Sequence, residues 1–263
     1  LNLHFNKIVY MRRLITFGGP HQNYYDAKNR LISQAHKMNI FDSIIGYTDI
    51  DIKNDIEFWK KHKDFILSNY RGYGYWIWKS YLILKNILEM KEGDILIYAD
   101  SGCEFDYLKR KSFDKLFEIT NNVKLVYSNT KRPEKLWTKM DLLDHMNMNE
   151  EKYYNEYQLQ GSVLSIYICN QTLDFFKEWC SLCCNYHLID DTPSITPNLD
   201  CFIEHRHDQS IFSLLVKKYN IGNDSISKYI NISRNRTGNS TFVNKSDKII
   251  NYIIINNNTF SIL

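Results

Sequence analysis

Gly93-Asp-Ile-Leu-Ile-Tyr-Ala-Asp-Ser-Gly102 is the stretch that decides the fold. Ile95 to Ala99 form a short apolar run, closed by Gly93-Asp94 before it and Asp100-Ser101-Gly102 after it. Such a run, bounded by turn residues, reads as a β-strand buried on both faces, as in parallel sheets covered by helices. In open α/β sheets, ligands bind beyond the carboxyl ends of the strands. Asp100 is therefore expected as a carboxylate held at the rim of a crevice. Ser101 and Gly102 would lie beside it, with Gly102 letting a ligand approach the backbone. The same three residues also make ordinary turns, so the rest of the chain has to decide.

Upstream, Arg13 to Phe17 read as a first strand, Gly18-Gly19-Pro20 as a turn, Tyr24 to Met38 as a helix and Phe41 to Tyr47 as a second strand. Ala27, Leu31, Ala35 and Met38 share one helical face. Strand, turn, helix, strand is a βαβ opening and favours a parallel sheet. Thr16, Phe17 and Gly18 are candidates for backbone contact with a nucleotide. Gly18-Gly19 is neither a full G-x-G-x-x-G nor a P-loop, so a plain tight turn fits as well.

After a helix over Asp55 to Ser68 comes Tyr70-Arg-Gly-Tyr-Gly-Tyr-Trp-Ile-Trp-Lys79, which packs two glycines, five aromatics and two cations into ten residues. A core helix has no use for that mixture, since each interior Gly costs up to ~1 kcal/mol against Ala. A loop passing close to a ligand does, and Gly74 and Trp76 are placed there. Arg71 offers a planar fork for phosphate and Lys79 a point charge. The alternative is that the tryptophans fill the core while the cations snorkel. A helix over Ser80 to Met90 leads on to the central strand.

Downstream, a helix is expected over Phe113 to Ile119, a strand over Lys124 to Ser128 and a helix over Leu136 to Met146. Gln158 to Ser162 read as a turn before a strand over Val163 to Cys169, where Gly161 either admits a sugar or only makes the turn. A helix over Leu173 to Cys184 follows. In the loop His187 to Pro197, Asp190 and Asp191 either divide acid and base duties or form a solvated turn. Glu204-His-Arg-His-Asp-Gln-Ser210 is the densest polar cluster and opens a helix running to Tyr219. His207 or Asp208 is expected at its N-cap, where the helix end also favours anions. His207 is a candidate ligand for a divalent metal, and Asp208 or Gln209 would face a reacting sugar carbon. Arg234 and Arg236, beside Gly238, either close over a diphosphate or lie on a basic surface turn.

The 263 residues are 44% hydrophobic and 24% charged, the composition of a soluble globular protein with a real core. A net charge of +3 gives no field for nucleic acid, which is not an expected partner. Aromatics at 14%, with 19 Tyr and 5 Trp, serve as sugar or base platforms or simply as packing. The six cysteines, three of them in Cys180-Ser-Leu-Cys183-Cys184, are expected as free thiols in a cytoplasmic compartment. No run approaches the ~20 apolar residues of a transmembrane span. The expected layout is an extension over 1–12, one α/β domain over 13–243 and a tail over 244–263 packed on it. A homo-oligomer is left open.

Taken together, Arg71-Gly-Tyr-Gly-Tyr-Trp-Ile-Trp-Lys79, Ile97-Tyr-Ala-Asp-Ser-Gly-Cys103 and His205-Arg-His-Asp-Gln-Ser210 resemble a family of glycosyltransferases known from giant DNA viruses and bacterial polysaccharide loci. The resemblance spans about Thr16 to Gly238. It implies a GT-A-like fold, a Rossmann-type mixed sheet flanked by helices, binding a nucleoside diphosphate sugar with Mn²⁺ or Mg²⁺ on an Asp-x-Asp motif. Asp100 matches the first Asp, but Gly102 stands at the second, so one metal carboxylate is missing. His207 or Glu104 is then the substitute ligand. His207-Asp208-Gln209 is similar to the motif near the anomeric carbon in several retaining GT-A families. The implied reaction moves the sugar to a hydroxyl of a glycan or protein. Arg71, Lys79 and Arg236 would bear on the diphosphate, in the host cytoplasm or virion if the protein is viral. Two rivals stay open. A sugar-phosphate nucleotidyltransferase lacks its expected basic loop here, since no Lys or Arg follows Pro20 until Lys28. A non-catalytic carbohydrate-binding protein draws support from Gly102.

Overall fold

The computed structural model describes residues 10–242. Among them the strands β1 (Arg12–Phe17), β2 (Ser43–Tyr47), β3 (Ile95–Ala99), β4 (Leu125–Pro133) and β5 (Tyr157–Tyr167) form one sheet in the order β2-β1-β3-β5-β4. β2, β1 and β3 run parallel, while β5 is antiparallel to both β3 and β4. The expected α/β architecture with a mixed sheet flanked by helices is therefore the one formed.

Between β1 and β3 lie α1 (Gln22–Met38), α2 (Asp49–Asn54), α3 (Ile56–Ser68), the single turn α4 (Gly72–Tyr75) and α5 (Ile77–Glu89). The second half carries α6 (Phe113–Val123), α7 (Met140–His145), α8 (Glu151–Tyr154), α9 (Asn170–Cys183), α10 (Tyr186–Ile189) and α11 (His207–Tyr219).

Strand periodicity splits β3 between two cores. Ile95, Ile97 and Ala99 pack with Leu14, with Leu31, Ala35 and Met38 of α1, and with Leu116 and Phe117 of α6. Leu96 and Tyr98 face the other way, toward the core built from α5, α9 and α11. All five β3 residues are buried, which is why the strand reads as an unbroken apolar run.

Two expectations need correction. Gln158 to Ser162 is not a turn; it lies inside the eleven-residue β5. The polar look of that segment misleads because Gln158 is fully buried, its amide donating to Glu134, Thr138 and Ser210. The helix over Leu136 to Met146 is also shorter, beginning at Met140. The buried Lys139 just before it reaches out to Asp190. The tail over 244–263, including the strand expected over Ile249 to Ile255, and all but the last residues of the 1–12 extension lie outside the described residues.

Candidate functional site

Three ionisable side chains meet where β3 ends. Lys79, on the first turn of α5, has its Nζ 3.4 Å from Asp100 Oδ1 and 3.2 Å from Asp208 Oδ2. Tyr98 donates its hydroxyl to Asp100 Oδ1 at 2.5 Å. The side chains of Lys79 and Asp208 are only 6% and 4% exposed, whereas that of Asp100 is 37% exposed. Asp100 is thus the outer, solvent-reachable member and Asp208 the inner one.

The electrostatics follow from that burial. Desolvation works against the Lys79 charge, but Asp100 and Asp208 outweigh it and its pKa ends raised. Lys79 therefore stays a cation across neutral pH. Desolvation pushes the Asp208 carboxyl up to about 6, with Asp100 adding to the rise and Lys79 opposing it. The Lys79 approach to Asp208 is too oblique for a hydrogen bond, and Oδ2 has none. A buried carboxylate oxygen whose nearest donor is misaligned is uncommon and calls for an explanation.

Gly161 of β5 lies close to that oxygen. A Cβ added there would lie 3.9 Å from Asp208 Oδ2 and from the Trp179 ring, an ordinary contact distance. Glycine is thus not forced on the strand by packing. Its missing side chain leaves space over the carboxylate.

α11 opens in an unusual way. His207 is its first residue and has φ 54° in the left-handed region, while Arg206, not His207 or Asp208, is the N-cap. His207 is buried between Tyr75 and Trp76, with ring centroids at 4.8 and 5.3 Å. Its Nδ1 donates to the Ile189 carbonyl at 2.8 Å, and burial lowers its pKa to about 4. Nε2 then carries a lone pair and has no hydrogen-bond partner, lying 3.7 Å from Asp191 Oδ1. The next residue, Asp208, sits in the helix's first turn, where the macrodipole favours an anion.

The aromatic segment before α5 is a left-handed turn. Gly72, Tyr73, Gly74, Tyr75 and Trp76 all have φ between 51° and 81°. Non-glycine residues rarely enter that region even singly, and such conformations cost about 1–3 kcal/mol each. The turn is held by Gly74 N donating to Asn69 O, Tyr75 N to Arg71 O and the Trp78 indole to Gly72 O. It places Arg71 on one side and Lys79 on the other. The glycine-aromatic mixture thus serves to build this turn, and Trp76 packs on His207.

Arg71 bridges Asp191 at 3.2 Å and Glu204 at 2.7 Å, and Arg206 also meets Glu204 at 2.9 Å. Arg206 lies over the Trp137 ring at 4.2 Å. Burial, and the repulsion of Arg234, Arg71 and Arg132, lower its pKa, so these four arginines share one neighbourhood. Arg234 also borders Gly102, whose carbonyl accepts from Asn235 N. Arg236 lies instead over Tyr24 of α1.

Several expected site residues take other places. Thr16 and Phe17 are buried, and Phe17 stacks on Trp78 at 3.8 Å. Gly18 is required by packing, since a Cβ there would come within 2.3 Å of the Tyr24 carbonyl. Gly102 makes room for the 233–235 loop, and Ser101 gives its carbonyl to the buried Arg30. Asp191 is tied to Arg71, and Asp190 to Lys139. Gln209 spends its amide on Gln158 at 2.8 Å. Glu104 is buried on the α1 side, bonded to Thr241 and near Arg30, away from any role beside Asp100. A groove of about 420 Å³ between α1 and Ser240 is lined by none of the Lys79 cluster.

The donor set for Mn²⁺ or Mg²⁺ is not assembled. Among the described residues no three His, Cys, Asp or Glu side chains gather around a point that suits an ion. Asp100 Oδ1 is already shared by Tyr98 and Lys79, Gly102 supplies no carboxylate, and the His207 lone pair is turned toward Asp191. The ammonium of Lys79 stands between the two carboxylates of the cluster.

No protein-family model and no curated protein matches the sequence. Solved structures show a distant likeness. Apo mouse xyloside xylosyltransferase 1 is similar over 82% of this chain and 84% of that one, at 10% identity and a TM-score of 0.45. A glycosyltransferase involved in the glycosylation of the major capsid of PBCV-1 is similar over 65% of this chain and 66% of that one, at 10% identity and a TM-score of 0.38. At these values the activity has to rest on the site itself.

The residues that sequence reasoning missed are those with an ordinary-looking context. Tyr98 hides inside an apolar strand, and Gln158 and Glu134 are polar residues buried within a network. Arg206 is masked by the histidines on either side. Only the density of charge in Glu204 to Ser210 pointed there.

Proposed function

We propose that the protein transfers a sugar from a nucleoside diphosphate sugar to a hydroxyl of a glycan or protein acceptor. The observation that carries this reading is the Asp208 carboxylate. It is buried, its pKa is raised to about 6, and one oxygen lacks a hydrogen bond beside the bare backbone of Gly161. A carboxylate so placed either takes the acceptor's proton or stabilises positive charge developing at a sugar carbon.

The leaving diphosphate needs positive charge. Lys79, at the carboxyl end of β3, and the neighbouring arginines Arg71, Arg206 and Arg234 meet that need. Arginine forks suit phosphate oxygens. In this reading Asp100 holds Lys79 in place and faces the ligand. Asp191 and Glu204 hold Arg71, and Gln158 orients Gln209.

Thermal unfolding with UDP, GDP and their common sugar conjugates, each with EDTA and with Mn²⁺, tests the reading. A ligand that binds only the folded state raises the melting temperature. Stabilisation by at least one nucleotide, weakened in Arg71→Ala, is the expected result. A second reading, a carbohydrate-binding protein without catalysis, is favoured by Gly102 at the second acidic position. Stabilisation by free glycans, with none by any nucleotide, would select it.

A further inference from the structure

A second cluster of nucleophilic and titratable groups lies away from the Lys79 site, where α9 and α10 pack on α3. Cys184 at the end of α9 has its Sγ 3.7 Å from His62 Nε2. The other imidazole nitrogen, Nδ1, is 2.9 Å from the Tyr186 hydroxyl, and that hydroxyl donates to the Lys61 carbonyl at 3.3 Å. These contacts fix the tautomer. Tyr186 spends its proton on Lys61, so its oxygen accepts from His62 Nδ1–H. His62 Nε2 is then a lone pair facing the Cys184 thiol. Thiol, imidazole, phenol and carbonyl form one directional chain, and His62 is 2% exposed, held between Phe58 and Tyr186.

We propose that Cys184 is a reactive thiol, activated by His62, that exchanges with low-molecular-weight disulfides. In the step, the Cys184 proton passes to His62 Nε2 and the thiolate attacks one sulfur of the disulfide. A bond forms between Cys184 and that sulfur, the original S–S bond breaks, and the departing thiolate takes up a proton. Cys184 is oxidised to the mixed disulfide and half of the small disulfide is reduced to thiol.

The surroundings favour this thiol over the other described cysteines. The groups facing Cys184 are Cys180 and Cys183 on its own helix, His62 and Lys61 on α3 and Tyr186 on α10. The neighbouring Cys180 thiol, the His62 contact and the Lys61 charge hold its pKa low despite burial. Burial pushes the Cys103 and Cys183 thiols up. Cys201 is exposed and serves as an internal reference. The thiolate is the reactive form, so the position that stabilises it is the one modified.

Limited labelling of the folded wild-type protein with iodoacetamide between pH 5.5 and 8.5, read by peptide mass spectrometry, tests this. At pH 6 the Cys184 peptide should label at least tenfold faster than the Cys201 peptide. Glutathione disulfide should leave one adduct, on Cys184. His62→Gln should remove that advantage, and Tyr186→Phe, which keeps the ring packing, should reduce it. Labelling of Cys201 ahead of Cys184 across the pH range, or a Cys184 rate unchanged by His62→Gln in a protein that melts cooperatively, would overturn the proposal.

Discussion

The Lys79 ammonium lies 3.2 Å from the Asp208 carboxylate, and both side chains are almost fully buried. A buried pair of this kind is costly to break from one side, because the survivor is left as an unpaired charge. Here the survivor can protonate, and that makes the consequence depend on pH.

Lys79→Met should therefore lower stability by about 3–5 kcal/mol at pH 8. The loss should be smaller at pH 5, where Asp208 takes up a proton. The sign follows from the raised carboxyl. Between its ordinary value near 4 and its folded value of about 6, the folded state binds more protons than the unfolded one, so stability falls as pH rises. Urea unfolding of the variant at the two pH values checks the difference.

Asp208→Asn should leave the fold intact and abolish sugar transfer. In the wild type, transfer that needs the ionised carboxylate should rise with pH, with an inflection near 6. A pH profile of kcat/KM against the donor in the wild type would show it.

Two glycines should behave in opposite ways. Gly74 has φ 81°, and a Cβ there would meet Ile66 Cγ1 at 2.7 Å, so Gly74→Ala should cost about 1–3 kcal/mol. At Gly161 the added methyl makes only ordinary contacts. Gly161→Ala should keep a near-wild-type melting temperature while lowering kcat/KM by covering Asp208.

Gln158 is a positioning residue. Gln158→Leu removes the acceptor of the Gln209 amide and strands part of the buried Glu134, Thr138 and Ser210 network. Leaving such groups unpaired costs about 1–3 kcal/mol. Thermal unfolding should register that loss.

The sheet was legible because its strands speak in short apolar runs. Ile95 to Ala99 are buried on both faces, and α1 shows its helical face through Ala27, Leu31, Ala35 and Met38. β5 was half-hidden because Gln158, polar in sequence, is buried by partners that sequence does not show. Lys79, Asp100 and Asp208 each stood out, but their meeting depends on β3, α5 and α11 converging at one edge. No local pattern encodes that. The left-handed turn over 72–76 was signalled by its glycines, and its backbone packs on Ile66 and accepts from the Trp78 indole.

The most direct measurement is release of nucleoside diphosphate from a panel of nucleotide sugars, with and without EDTA, in wild type and Asp208→Asn. The account predicts that wild type turns over at least one donor, that turnover persists in EDTA because Lys79 and the arginines supply the charge, and that Asp208→Asn is inactive. Equal turnover in wild type and Asp208→Asn, or no turnover of any donor by a folded wild type that binds free glycans, would contradict it.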